Sequence, residues 1–285
     1  MTIVHSARCL EYEAPGHPER PARVAETVKR LQGASYRWVD AAPCTTAQLL
    51  RVHTASHVEA VRTGHYYDAD TPFFPQMDAI ARLAAGAAVQ AARLAMDGEP
   101  AFSLMRPPGH HAERNRIMGF CYYNNIAVAV AELLEAAGIK RVAILDFDCH
   151  HGNGTEEIFL GDDRVRFISL HQSPCYPGTG TMSRANARNY PLPPGTGPVE
   201  FLATLKRAWD DVRAFTPQVL AVSAGFDMYH RDPITHMALD EETYEEVGRQ
   251  VGRWGGPTFA VLEGGYAREL PECVAAFLRG WSNAA

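Results

Sequence analysis

The chain has 285 residues, 46% of them hydrophobic and 21% charged, which is the composition of a folded enzyme with a sizeable core and argues against disorder. A formal net charge of -6 at pH 7, with no Lys/Arg-rich run, argues against a surface for nucleic acid or an anionic membrane and favours a cationic substrate. No apolar run reaches the ~18 residues that cross a bilayer and the N-terminal residues do not resemble a signal peptide, so we expect a cytoplasmic protein.

Apolar segments alternate with helical patterns along the chain. Strands are predicted at residues 101–105, 142–145, 165–170, 219–223 and 258–262. Helices are predicted around 24–31, 52–61 and 78–96, from 125 to about Ala137, over 199–215, and from about Glu272 onwards. This alternation implies βαβ units, a mainly parallel sheet with helices on both faces, and one large α/β domain.

Each predicted strand ends in an unusual polar or Gly-rich motif. Ligands of open parallel sheets bind beyond the carboxyl ends of the strands. The candidates for one shared pocket are therefore His110, His111, Asp148, Cys149, His150, His171, Asp227 and Tyr266.

The segment 146–154 carries metal-binding side chains directly after a strand. Side chains two apart in an extended chain point the same way, so Asp146, Asp148 and His150 share one side if the extension continues past the strand. Asp148 and His150, with Asp227, provide three oxygen and nitrogen ligands and leave a fourth position open, as in catalytic sites. Zn²⁺ is the first expectation, and the same set accepts Fe²⁺ or Co²⁺. Taken singly, an Asp after a strand is more often a helix cap, so the prediction depends on the coincidence of several motifs.

Acid-base side chains stand at two of the other strand ends. His110 and His111 lie in a stiff Pro-Gly loop, and such a pair can take a proton from water and return one to a leaving amine. Asp146 and Asn153 are placed to fix their tautomers. Tyr266 follows two glycines and can donate a hydrogen bond to a developing oxyanion. Alone, the histidines would be read as part of a surface turn and the tyrosine as a packing residue.

Together these motifs resemble those of the histone deacetylase superfamily, which includes the acetylpolyamine amidohydrolases. The resemblance runs from His-Pro-Glu-Arg-Pro at 17–21 to Glu-Gly-Gly-Tyr at 263–266. Asn153 is typical of class II members, whereas class I members usually have Asp at this position. It implies a three-layer α/β/α sandwich, the arginase-deacetylase fold, around a mainly parallel sheet of about eight strands. It also implies a single deacetylase domain over residues 1–285.

The resemblance implies roles for the site residues. Asp148, His150 and Asp227 would bind catalytic Zn²⁺, with His110 and His111 as the acid-base pair. Tyr266 would polarise the acyl carbonyl. A structural K⁺ would bind the residues of a second site: Asp146, Asp148, His150, Ser169 and Leu170. Arginases of this fold hold two Mn²⁺ with an Asp-x-His-x-Asp segment, and here Gly152 replaces the second Asp, so one catalytic metal is predicted.

Further positions concern the substrate. Gly119, Phe120 and Tyr176 would line a channel, and Tyr176 departs from the commoner Phe. Ile234 occupies the position where polyamine-specific relatives carry a gatekeeper Glu, which weakens a polyamine assignment. Either Asp68 or Asp70 would be the rim Asp that grips the substrate backbone, and the sequence does not decide between them.

We therefore expect hydrolytic removal of an acetyl or similar acyl group from lysine in proteins or peptides. An acetylpolyamine or small-amide amidohydrolase is the first alternative. A non-catalytic acyl-lysine binding module is the second, although the usual loss of a metal ligand or of the tyrosine has not occurred. Short segments before Asp78 and after Tyr266 imply an open pocket mouth, or one completed by a neighbouring subunit in a homo-oligomer.

Overall fold

A computed structural model describes residues 1–136 and 138–284 and contains an eight-stranded sheet. The strands are β1 (Thr2–His5), β2 (Arg37–Asp40), β3 (Ala101–Ser103), β4 (Val142–Asp146), β5 (Val165–Gln172), β6 (Ala187–Leu192), β7 (Val219–Ala224) and β8 (Thr258–Leu262). Their order across the sheet is β2-β1-β3-β8-β7-β4-β5-β6, and every neighbouring pair is parallel.

Helices flank this sheet. They are α1 (Ala22–Leu31), α2 (Thr46–Leu49), α3 (Ala55–Thr63), α4 (Met77–Met96), α5 (Asn125–Ala136), α6 (Asn153–Phe159), α7 (Pro198–Phe215), α8 (Glu241–Arg253) and α9 (Leu270–Ala284), with a short 3₁₀ helix at Ala7–Leu10. Every residue of β4, β7 and β8 is buried. Since alternate residues of a strand face opposite sides, both faces of the central sheet are covered, and the predicted α/β/α sandwich is confirmed. Among the described residues, no helix is both long and apolar enough to cross a membrane.

The strands that the sequence patterns missed lie toward the edges of the sheet. β2 is an edge strand whose residues are partly or fully exposed, so it lacks a buried apolar run. β6, at the other edge, has the sequence Ala-Arg-Asn-Tyr-Pro-Leu, and proline is tolerated on an edge because one ladder hydrogen bond is dispensable there. β1 has only four residues. Long apolar runs mark central strands, and these three elements have none.

Several element ends differ from the predicted ones. The strand predicted over 101–105 ends at Ser103. The helix predicted over 52–61 begins only at Ala55, because the hydroxyl of Thr54 caps it by accepting the N–H of His57. The predicted end of the helix near Ala137 lies outside the described residues.

The sheet order explains where a site can form. β3, β8, β7 and β4 are consecutive neighbours, so the loops that leave their carboxyl ends meet at one edge. These loops carry His110, Tyr266, Asp227 and Asp148, respectively. Residues far apart in the chain therefore come together because of the strand order.

Candidate active site

A pocket of about 330 Å³ opens at this edge of the sheet. Eight of the predicted site residues line it: His110, His111, Gly119, Phe120, His150, Tyr176, Ile234 and Tyr266. Five residues that were not assigned to the site, or were left open, line it as well: His17, Pro18, Asp70, Pro108 and Gly264.

Three side chains that could hold a metal ion converge beside the pocket, and one of them, His150, lines it. One ligand atom from each of Asp148, His150 and Asp227 lies within 4.8 Å of the others, and all three residues are buried. His150 Nδ1 is 3.1 Å from Asp148 Oδ1 and 2.9 Å from Asp227 Oδ2. Apart from this close approach of His150 Nδ1, the buried Asp227 Oδ2 has no hydrogen-bond partner, and a buried carboxylate oxygen is stabilised when a cation binds it. The three side chains thus fit a divalent metal ion.

Backbone N–H groups orient the two carboxylates. Asp148 Oδ2 accepts the N–H of Gly264 at 2.7 Å, and Asp227 Oδ1 accepts that of Cys149 at 2.7 Å. Each carboxylate therefore keeps its second oxygen toward His150. Burial, and then the nearby charge of Asp148, raise the pKa of Asp227. A cation between the two carboxylates would relieve this repulsion.

The convergence does not arise from an extended strand. β4 ends at Asp146, and the chain bends over 148–150. Asp146 Oδ1 accepts the N–H of Asp148 at 3.0 Å, which holds this bend, while Asp146 Oδ2 lies 3.0 Å from His110 Nδ1. The condition for Asp146 to share one side with Asp148 and His150 is therefore not met, because the extension stops one residue past Leu145, and Asp146 contacts His110 instead.

His111 has a fixed tautomer. Its Nδ1 lies 2.7 Å from Asn153 Oδ1, and the Nδ2 group of Asn153 donates to Glu113 Oε1 at 2.8 Å. Because the Asn153 amide must present its oxygen to the ring, His111 Nδ1 carries the proton. Burial, together with the neighbouring His110 and His150, lowers the pKa of His111 well below its usual value. His111 is therefore neutral, with Nε2 free to accept a proton.

His110 has the opposite electrostatic environment. Burial alone would lower its pKa, but the carboxylates of Asp148 and Asp146 raise it to about 10. Its Nε2 is 3.6 Å from Asp148 Oδ1. The two rings lie 4.0 Å apart between centroids, so adjacent histidines are held in different protonation states.

Tyr266 is placed by its glycine neighbours and by an arginine. Gly265 has φ +119°, where a Cβ would strain the backbone and meet Leu270 and Phe226. The guanidinium of Arg23 lies 4.7 Å from the centroid of the Tyr266 ring, and its Nε donates to the carbonyl of Gly265 at 2.7 Å. The phenol thus stands between the arginine and the pocket.

Two buried acids support the site and were missed from the sequence. Glu263 accepts the N–H groups of Gly109 and His110 at 2.7 and 3.2 Å, so it fixes the loop of the histidine pair. Glu19 binds Arg106 through two contacts of 2.7 Å. The segment 16–21 has the composition of a surface turn, and only the family motif at 17–21 sets it apart.

Of the pocket candidates other than Asp148, His150 and Asp227, two do not line the pocket. His171 is still part of β5, and its ring contacts Ser169 Oγ and the Gly180 carbonyl. Cys149 is fully buried. His151 bonds Glu156 and Thr179, in line with a structural role. These side chains therefore support the loops behind the pocket.

The two rim aspartates have different surroundings. Asp68 Oδ1 accepts the hydroxyl of Thr71 at 2.7 Å and the N–H of Asp70 at 3.2 Å. Asp70 is exposed and lines the pocket. Thr71 Oγ1 in turn accepts the N–H of Phe120 at 2.9 Å. Asp68 therefore holds the loop together, and Asp70 is the one of the two that lines the pocket.

The residues of the predicted K⁺ site are neighbours in the sheet. Ser169 is the register partner of Asp146 in the β4–β5 pair, and Leu170 follows it. Both are fully buried. Asp148 and His150 lie in the bend just after β4.

Comparisons with known proteins agree with this geometry. Residues 17–281 match the model of the histone deacetylase domain. The chain is 39% identical to a probable deacetylase of Methanothermobacter thermautotrophicus, over 98% of this chain and 90% of the relative. It is 36% identical to the histone deacetylase-like amidohydrolase of Pseudomonas aeruginosa, over 91% and 75% of the two chains.

The fold is also similar to that of a solved structure over the whole length of the chain. The acetylpolyamine aminohydrolase of Burkholderia pseudomallei superposes with a TM-score of 0.93 at 26% identity, over 100% of this chain and 99% of that one. Fold, site and sequence therefore agree, and the chain belongs to the histone deacetylase family of metal-dependent amidohydrolases.

Proposed function

We propose that the protein is a zinc-dependent deacylase that hydrolyses the amide of acetyl-lysine, or of a similar acyl-lysine, in proteins or peptides. The observation that carries this substrate choice is Ile234, an apolar side chain in the pocket wall. An isoleucine offers no charge to the second amine of a polyamine. The apolar side chain of Ile234 can pack against the aliphatic stem of a lysine.

The metal would be held by Asp148, His150 and Asp227. One Zn²⁺ is proposed, and Fe²⁺ or Co²⁺ would suit the same donors. When bound, such an ion polarises an acyl carbonyl and makes a water more acidic. A structural K⁺ behind the site, on the residues from β4 and β5 described above, completes the proposed set of ions.

The chain's own residues would move the protons. His111 Nε2, free and neutral, accepts the proton of the attacking water. His110, whose Nδ1 lies 3.0 Å from Asp146 Oδ2, would hold a proton and stabilise negative charge that develops beside it. The hydroxyl of Tyr266 donates a hydrogen bond to the oxyanion, and protonated His111 then delivers its proton to the leaving amine.

The channel residues would position the acyl-lysine. Phe120 and Tyr176 line the pocket, as Gly119 does. A Cβ at Gly119 would lie 2.6 Å from the His111 ring, so only glycine allows this wall to approach the acid-base pair. Asp70 at the rim is the proposed acceptor for the substrate backbone.

An acetylpolyamine amidohydrolase is the second candidate. Asp70 favours it, because an exposed carboxylate on the pocket rim can attract a second amine. The similar fold of the Burkholderia acetylpolyamine aminohydrolase is compatible with it.

Steady-state kinetics with two substrates separates these candidates. We expect the zinc-loaded protein to have a higher kcat/KM for an acetyl-lysine peptide than for acetylspermidine. Ile234→Glu should shift the ratio toward acetylspermidine by about tenfold, the value of about 1.4 kcal/mol of added attraction. Ile234→Leu, the matched control, should leave the ratio unchanged. A large preference of the wild-type protein for acetylspermidine would overturn the peptide assignment.

A further inference from the structure

A buried aspartate connects two loops at the pocket. Asp232 lies between β7 and α8 and is only 8% exposed. Its Oδ2 accepts the backbone N–H of Tyr266 at 2.7 Å, and its Oδ1 accepts the backbone N–H of Ile234 at 3.1 Å. Thus one carboxylate holds the backbone of the pocket tyrosine and that of the pocket wall.

The loop that carries Asp232 also begins at Asp227, a member of the metal triad, defined here as Asp148, His150 and Asp227. Asp227 stands five residues earlier, and its backbone carbonyl accepts the hydroxyl of Thr235. The loop is therefore closed on itself around Asp232. Tyr266 comes from a different strand end, after β8, and Asp232 supplies a polar contact from this loop to its backbone.

A misplaced catalytic group loses much of its effect. Displacement by about 1 Å can cost on the order of 100-fold in rate, and productive geometry needs about 0.5 Å precision. The Tyr266 backbone follows Gly264 and Gly265, which leave it many conformations in the absence of restraints. Arg23 restrains the carbonyl of Gly265, and Asp232 restrains the N–H of Tyr266.

We infer that Asp232 is a positioning residue for Tyr266, and that it keeps the phenol in a fixed relation to the metal triad and to the wall at Ile234. The inference rests on the proposed role of Tyr266 in catalysis. Each oxygen of the Asp232 carboxyl group accepts a different backbone N–H, so one short side chain restrains both segments at once.

A double-mutant cycle tests the inference. Asp232→Asn keeps the shape of the side chain but replaces one acceptor oxygen with an NH₂ group. We expect kcat to fall by about 10–100-fold, as for other residues that orient a catalytic group, with little change in KM. In the Tyr266→Phe background the same change should cost far less, because the phenol that it positions is absent.

Asp240→Asn is the matched control. Asp240 also accepts a backbone N–H, that of Thr243 at 2.9 Å, but at the start of α8. Asp240→Asn should change stability only slightly, because Asn caps a helix about as well as Asp, and it should leave kcat unchanged. Full additivity of Asp232→Asn and Tyr266→Phe would overturn the inference.

Amide exchange separates this inference from the proposed function. In the wild-type protein, the N–H of Tyr266 should exchange as slowly as those of β8, because it is bonded to a buried carboxylate. Exchange at the rate of an open loop would overturn the restraint, even where Asp232→Asn does not fold. If the wild-type protein has no deacylase activity but this N–H is protected, the proposed function fails and the restraint on Tyr266 stands.

Discussion

Two buried charge clusters lie near the pocket, and they are balanced in opposite ways. In the first, defined here as the arginine cluster, Glu19 binds Arg106 through both carboxylate oxygens, Arg23 at 3.1 Å and the hydroxyl of Tyr12 at 2.8 Å. In the second, the metal triad, two carboxylates face one imidazole. Apart from the close approach of His150 Nδ1, Asp227 Oδ2 there has no hydrogen-bond partner.

The pKa shifts reflect this difference. Burial would raise the pKa of Glu19, but Arg106 and Arg23 lower it to about 2. Burial raises the pKa of Asp227, and the charge of Asp148 raises it further. The arginine cluster contains two permanently charged guanidinium groups, whereas the triad sets a single imidazole against two carboxylates. Loss of one partner from the first kind of cluster should destabilise the fold, and the second kind is suited to hold a cation.

The largest expected effect concerns the triad. Asp227→Asn should lower kcat/KM by close to 10⁴-fold, about 5 kcal/mol, because the several kcal/mol that a bound metal supplies would be lost. The metal-free variant should nevertheless be as stable as the metal-free wild type, since one of two repelling carboxylates is removed. Metal analysis, kinetics and thermal unfolding check these outcomes.

Asp211→Asn is the control for that change. Asp211 lies on α7 and accepts a hydrogen bond from the hydroxyl of Tyr190 at 2.5 Å. Metal content and activity should remain at the wild-type level. If metal-free Asp227→Asn is much less stable than metal-free wild type, the triad is a structural cluster and the comparison is broken.

The arginine cluster should respond in the reverse sense. Glu19→Gln leaves two buried guanidinium groups without their carboxylate, which should lower the free energy of unfolding by about 3–5 kcal/mol. Glu272→Gln, in an exposed pair with Arg30 at 2.8 Å, should cost less than about 1 kcal/mol. Urea unfolding at neutral pH measures both. Equal losses in the two variants would show that burial of the Glu19 pair has no special weight.

The same pair predicts a pH dependence. The folded-state pKa of Glu19 is lowered from 4.5 to about 2. Its contribution is therefore fully present above about pH 4.5 and is lost as the pH falls toward 2. Urea unfolding at several pH values should show the wild-type protein and Glu19→Gln converging in stability as the solution is acidified. A constant difference between them down to pH 2 would contradict this assignment.

A smaller loss of activity is expected when the tautomer of His111 is no longer fixed. Asn153→Ala removes the acceptor of the Nδ1 proton and should lower kcat by about 10–100-fold. Asn186→Ala is the matched amide control, since Asn186 bonds the carbonyls of Phe159 and Val165 away from the pocket. It should affect stability alone. Unchanged kinetics in Asn153→Ala would remove His111 from the proposed proton transfer.

The central strands and the metal triad could be predicted from the sequence because their signals are local. An apolar run marks a strand buried on both faces, and the motif 146–154 follows one directly. Edge strands such as β2 carry no such run. The bend after Asp146, which sends its carboxylate to His110, depends on contacts that no alternation pattern contains.

The supporting acids could not be predicted for a related reason. Glu19 stands in a Pro-rich turn and Asp232 precedes a proline in a polar loop, so both have the local pattern of exposed residues. They are buried because partners from distant segments bond them: Arg106 is 87 residues from Glu19, and Tyr266 is 34 from Asp232. Only the strand order brings these segments together.

Zinc titration of the metal-free protein tests the central claim most directly. With an acetyl-lysine peptide as substrate, the rate of acetate release should rise from near zero and reach a plateau at one Zn²⁺ per chain. A rate that is independent of metal, or a plateau only at two ions per chain, would contradict the account.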